Sequence, residues 1–199
     1  MFGMIRRLLR RPVTWVALAV LAVAAGFGLY WFQPWKLVVD ERVDEALSSP
    51  VPAAGGTPMP ESSAPEPSAA PEPAESPEPA GPVLLLQGEL ISHEHPTTGT
   101  ARIVRNRDGS HVLELIDLDT SNGPDLRVWL TDQPVIEGRD GWHVFDDGAW
   151  LELGRLKGNQ GNQRYELPAG TDPASYSSVS IWCKRFAVSF GAAELSGSG

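Results

Sequence analysis

The chain has 199 residues, a formal net charge of −9 and one cysteine, Cys183. Between Val83 and Gly199 there are 16 acids against 10 bases with no basic stripe, which excludes a surface built to neutralise nucleic-acid phosphates. With a single cysteine there is no disulfide framework, and the apolar, Pro-rich and alternating parts of the sequence are separate enough to be read one by one.

Residues 1–12 carry Arg6, Arg7, Arg10 and Arg11 and no acid, and the following 20 residues, Val13–Phe32, carry no charge. At about 1.5 Å per residue such a helix covers a hydrocarbon core of about 30 Å. The sequence therefore predicts one transmembrane signal anchor over residues 13–32, with the lipid bilayer as its first partner. The arginines before it and the sparse Lys36 and Arg42 after it predict a cytoplasmic N-terminus and an extracytoplasmic remainder, a single-pass protein of the cell membrane. Trp15 at one end and Tyr30, Trp31 and Trp35 at the other suit the two interfacial belts. A cleaved signal peptide ending near Ala22-Val23-Ala24 is the alternative, and it exports the same domain.

Residues 33–82 form a juxtamembrane segment and a linker. "LVVDERVDEAL" at 37–47 suggests a short amphipathic helix. Eleven prolines between Pro50 and Pro82, interleaved with Ala, Ser and Glu, then predict an extended, uncored spacer with a reach of roughly 100 Å.

Residues 83–195 read as an all-β domain, an antiparallel sandwich or barrel. "VLLLQGELI" and "TARIVRN" are strand-like, and Asp108-Gly109 predicts a tight two-residue hairpin turn into a strand from about His111 to Leu118. "DLRVWLT", "GWHVF", "AWLELGRL", "QRYELP", "SVSIWC" and "FAVSFGAAEL" are further strand candidates between Gly, Pro, Asn and Asp turns. Val179, Ile181 and Cys183 share one face of a strand, and Phe186, Val188 and Phe190 have opposite parity, which implies a bulge or turn near Lys184-Arg185; a continuous strand covered on both faces is the alternative.

Motifs for hydrolytic or metal chemistry are weak. Asp117, Asp119 and Ser121 open like a calcium loop, but Asn122 stands where glycine is needed and Val128 where a bidentate Glu closes the site. His93 and His95 are spaced to face one side of a strand, yet two ligands do not make a metal site, and nothing in the spacing of His111 or His143 recruits them. There is no G-x-S-x-G, no H-E-x-x-H and no phosphate loop leading into a helix, so an electron-transfer or binding module is expected rather than a hydrolase. Cys183 stands apart. A lone thiol in an oxidising compartment is either a packed core residue or a reactive one, and Lys184 and Arg185 beside it favour a thiolate if their charges come close.

Taken together, "HPTTGTARIV", "NGPDLRVWL", "LGRLKGNQGNQRYELP" and "SVSIWCKRFAVSFGAAEL" resemble the DM-thirteen domain, over nearly all of residues 84–195. This family is an extracellular all-β module, found alone in bacterial membrane proteins and beside DOMON domains in animal proteins. The resemblance implies an electron-transfer role in which the family's cysteine, Cys183 here, acts as a bare thiol or as a ligand to a prosthetic group such as haem. It also implies a cofactor-binding part for His95, which resembles a histidine preceding the family's Ser-Gly turn, although here the turn reads Thr97-Thr98-Gly99. No C-x-x-C-H is present, so any haem is held non-covalently. The redox or protein partner is not specified, and the competing reading is a cofactor-free binding or structural module displayed at the cell surface.

Overall fold

A computed structural model describes residues 12–52 and 81–197. Its first element, α1 (Pro12–Phe32), has no buried residue. The apolar stretch Pro12–Lys36, mean hydropathy 2.0, is long and apolar enough to cross a membrane, which suggests membrane anchoring. A 3-10 turn over Pro34–Val38 follows.

The segment expected to be helical over 37–47 is instead laid along the domain. β1 (Arg42–Asp44) pairs in parallel with a strand far along the chain, β8 (Gln160–Glu166). Two of the segment's acids, Asp40 and Glu45, are occupied by partners far along the chain. Glu45 accepts from Lys157 Nζ at 2.8 Å and from the Arg164 backbone N–H at 2.6 Å, and Asp40 accepts from Asn159 Nδ2 at 2.8 Å. Partners outside the segment thus outweigh a weak, poorly capped local propensity. β2 (Val51–Pro52) then pairs with the first residues of β3 (Val83–Ser92), and Val51 N–H donates to Pro82 O at 2.9 Å. The expected Pro-rich spacer falls mainly on residues 53–80, outside the described residues.

β4 (Thr97–Arg105), β5 (His111–Thr120), β6 (Leu126–Thr131), β7 (Trp150–Arg155), β9 (Ser178–Cys183), β10 (Val188–Glu194) and β11 (Ser196–Gly197) complete a curled, mixed sheet half-barrel of order β1-β8-β5-β4-β3-β10-β9-β6-β7. All pairings within residues 83–197 are antiparallel; the parallel ones come from β1 and β2. β3 lets the sheet curl by pairing with β4 through Val83–Glu89 and with β10 through Leu90–Ser92.

Three local expectations are corrected. The Asp108-Gly109 connection is not a two-residue turn. It spans residues 106–110, closed by Asn106 N–H to Ser110 O at 2.8 Å, with the Asp108 carboxylate accepting from the Ser110 N–H. "GWHVF" is not a strand, because no partner strand lies alongside it. It forms a 3-10 turn and loops within residues 132–149, which fold over the outer face of β6, β9 and β10. Thr97-Thr98-Gly99 opens β4 rather than a turn, with Gly99 (φ 127°) at a bulge where an added Cβ would lie 2.8 Å from Ile116 O.

The curled sheet encloses an aliphatic core that includes Ile103, Leu113, Leu115, Val128, Leu130, Val179, Ile181 and Cys183. A second, aromatic layer lies on the opposite face under residues 132–149, with Trp129, Phe145, Trp182 and Ala192 at its centre.

Candidate functional site

Alternation along "SVSIWC" puts Cys183 with Val179 and Ile181 in the aliphatic core, and every residue of β9 is buried. Both sequence readings hold in part. The strand is covered on both faces, and it also ends at Cys183, where a turn over 184–187 leads into β10. Ala187 closes that turn with φ 50°, a left-handed conformation that costs a Cβ-bearing residue about 1 kcal/mol or more. His143 Nδ1 donates to the Ala187 carbonyl at 2.7 Å, and Ser189 N–H donates to Trp142 O at 2.8 Å, so the loop after β6 holds the turn in place.

Cys183 is 0% exposed. Burial pushes its thiol above the ordinary value, while the backbone amides of Phe186, Arg185 and Asp125 work in the other direction and the Glu94 carboxylate adds to the rise. The sulfur is therefore protonated at neutral pH, yet it has polar backbone at its side. Lys184 and Arg185 do not supply the expected thiolate-favouring charge. Lys184 Nζ binds Glu152 Oε2 at 3.0 Å, and the Arg185 guanidinium lies over Trp31 at the end of α1 and hydrogen-bonds the Trp31 carbonyl.

His93 and His95 part company. His93 is 7% exposed and stacks on Phe145, with Nε2 bonded to Ile136 O at 3.1 Å and Nδ1 to Ser189 Oγ at 2.9 Å. Nε2 must carry the proton to donate to a carbonyl, so Nδ1 accepts from the serine. Burial holds the His93 pKa below its ordinary value. His95 instead lies 3.9 Å from the Phe190 ring and 3.8 Å from Glu94 Oε2. Among the described residues no three His, Cys, Asp or Glu side chains converge as metal ligands.

His95 lines a mainly apolar cavity of about 250 Å³ with Phe32, Pro34, Phe186 and Phe190, where the end of α1 meets the sheet. Phe32 stacks on Phe186 there at 6.1 Å. The cavity wall includes Glu94 and His95 but not Cys183. Phe186 is the common neighbour, its side chain lining the cavity and its amide favouring the thiolate. A haem ligated by Cys183 does not fit this arrangement, because the sulfur is closed into the core and the cavity is below the usual ligand-site range of about 300–1,000 Å³.

The feature that sequence reasoning missed lies on the other face of β9. Trp182 stacks with Trp129 at 5.0 Å, and Trp129 stacks with Trp150 at 4.1 Å and 6°. Trp129 Nε1 donates to Glu152 Oε2 at 3.3 Å, and the other Glu152 oxygen accepts from Arg127 at 2.8 Å. Burial opposes ionisation of Glu152, but the Lys184 and Trp129 hydrogen bonds and the Arg127 and Lys184 charges together hold its carboxyl below the ordinary value. The available signal was one tryptophan in each of three strand-like segments, but their meeting depends on register.

Comparison with curated proteins and with solved structures gives no match. The family model described as electron transfer DM13 matches residues 89–195, from the middle of β3 to the residue after β10, so the chain belongs to the electron transfer DM13 family.

Proposed function

We propose that this protein is a membrane-anchored, extracytoplasmic electron-transfer domain in which the Cys183 thiol is the redox group. Family membership supports the electron-transfer class. The arginines before α1 support an orientation with the domain outside. The observation that carries the role of Cys183 is the sulfur's place at the last residue of β9, where the buried strand ends and the turn over 184–187 begins.

Full burial keeps disulfide exchange and bulk oxidants away, so the thiol exchanges electrons without meeting a substrate. In the oxidising half-cycle the thiol gives one electron to an outer-sphere acceptor and releases one proton, which ends in the bulk solvent, and in the reducing half-cycle it regains both. Titration of the full chain with ferricyanide tests this: the wild type takes up oxidising equivalents that Cys183→Ala does not. Equal uptake by the variant contradicts the role of Cys183.

The zero exposure of Cys183 inside the aliphatic core also favours a second reading, a cofactor-free module displayed at the membrane with the thiol only packed. No uptake by either protein selects it.

A further inference from the structure

Trp150, 43% exposed on the edge strand β7, is in face-to-face contact with Trp129, which is 3% exposed, and Trp129 with Trp182, which is 1% exposed. An unbroken stack of indoles therefore runs from solvent to the interior of the domain. Strand register produces it. Trp129 pairs with Glu152 of β7 and Ser180 of β9, Thr131 pairs with Trp150, and Arg127 pairs with Trp182, so period-two alternation sets the rings diagonally on one face. Trp182 meets Phe145 edge-on at 6.3 Å and precedes Cys183 in the chain.

Packing accounts for burying Trp129 and Trp182. It does not account for Trp150, which keeps much of its surface in water, nor for the carboxylate at the middle ring. The Trp129 indole N–H donates to Glu152, and Glu152 is fixed from its other sides by Arg127 and Lys184. Indole is among the most readily oxidised side chains, and electron exchange falls steeply with separation, so rings in contact exchange fastest.

We propose that Trp150, Trp129 and Trp182 form a one-electron relay from the exposed edge of β7 to the interior beside Cys183, with Glu152 as the proton acceptor of Trp129. This rests on the electron-transfer reading above and supplies what that reading needs, a route to a sulfur that solvent does not touch. An outer-sphere oxidant of the metal-complex class takes one electron from Trp150, and Trp129 refills it. The resulting Trp129 radical cation is a much stronger acid than indole. Its Nε1–H bond breaks, the proton passes to Glu152, and a neutral tryptophanyl radical remains. The sum is one electron from Trp129 to the oxidant and one proton from Trp129 to Glu152. A one-electron reductant returns the electron, and Glu152 returns the proton. Trp182 extends the path to the residue before the thiol.

The test uses the full chain in a bilayer, with a ruthenium polypyridyl complex attached at Asp147→Cys, an exposed position three residues before Trp150; Cys183 is fully buried and stays unlabelled. Flash-quench oxidation with transient absorption then reads the radical, and soluble ascorbate reads its exposure. The relay predicts a neutral radical that ascorbate quenches at least about an order of magnitude more slowly than a solvent-exposed one, because Trp129 is out of contact with solvent. In Trp129→Phe the radical stays on Trp150 and becomes ascorbate-sensitive. In Trp150→Phe, a change at the exposed end that spares the core, the yield falls by about an order of magnitude. In Glu152→Gln the protonated radical cation persists in place of the neutral radical. An unchanged yield in Trp150→Phe, or an ascorbate-sensitive radical in the chain with all three tryptophans, overturns the relay. None of these readouts uses Cys183, so the relay and the redox thiol fail separately.

Discussion

Along β9, Val179, Ile181 and Cys183 face the aliphatic interior of the curled sheet, whereas Ser178, Ser180 and Trp182 face the layer beneath residues 132–149. The interior is mainly aliphatic, has Cys183 and Tyr165 as titratable groups, and is built largely from strand residues. The outer layer is aromatic and wired with buried polar groups. His93, Ser189 and Ser180 form a hydrogen-bonded chain, Ser178 Oγ donates to Gln133 O at 2.7 Å, and Thr131 Oγ1 donates to Phe145 O at 3.3 Å. One strand thus separates a packing face from a face whose stability depends on a long irregular segment staying docked. Under the proposed relay, electrons reach Cys183 from the side that the sulfur does not face.

Phe145→Ala should give the largest effect on this contrast. Phe145 is 0% exposed and is the main anchor of residues 132–149, so its truncation is expected to cost about 3–5 kcal/mol in denaturant unfolding. Ile181→Val on the opposite face should cost only about 0.5–1.5 kcal/mol. A loss below about 1 kcal/mol for Phe145→Ala would mean that the outer layer is not a cooperative part of the fold. Cys183→Ser, which places a hydroxyl against the aliphatic core, is expected to cost about 1–3 kcal/mol in the same assay, and a neutral outcome would deny that the thiol is packed there.

Stability against pH sharpens the contrast without changing a contact. The folded His93 pKa is lowered, so the unfolded chain binds the proton first; stability is complete above the ordinary imidazole value of 6.5 and is lost as pH falls through the folded value. The folded Cys183 pKa is raised, so its contribution is complete below the ordinary thiol value of 9.0 and is lost as pH rises toward the folded value. The outer face therefore fails in acid and the inner face in alkali. His93→Gln should flatten the acid limb of thermal unfolding and Cys183→Ala the alkaline limb, and exchanged effects would refute the assignment. The smallest effect is expected at Ala187→Gly, a gain of about 0.5–1 kcal/mol from relieving the left-handed residue after Cys183.

The inner face was legible because alternation is a local signal. In "SVSIWC" the shared parity of Val179, Ile181 and Cys183 marked the core face, and the parity change after Cys183 located the turn. The outer layer was not. "GWHVF" alternates like a strand but finds no partner, and Phe145 is buried by the loop's path rather than by periodicity. Residues 37–47 carry a helical charge pattern, two of whose acids, Asp40 and Glu45, are claimed by Lys157, Asn159 and the Arg164 amide, partners more than a hundred positions away. The indole stack failed for a similar reason. Each tryptophan was visible, but only the pairing of β6 with both β7 and β9 brings the three rings together.

Protein-film voltammetry of the full chain tests most directly whether the buried sulfur is the electron-carrying group. A reversible wave in the wild type that vanishes in Cys183→Ala, with the fold retained by circular dichroism, is the predicted result. A wave of equal size and potential in the variant would contradict it.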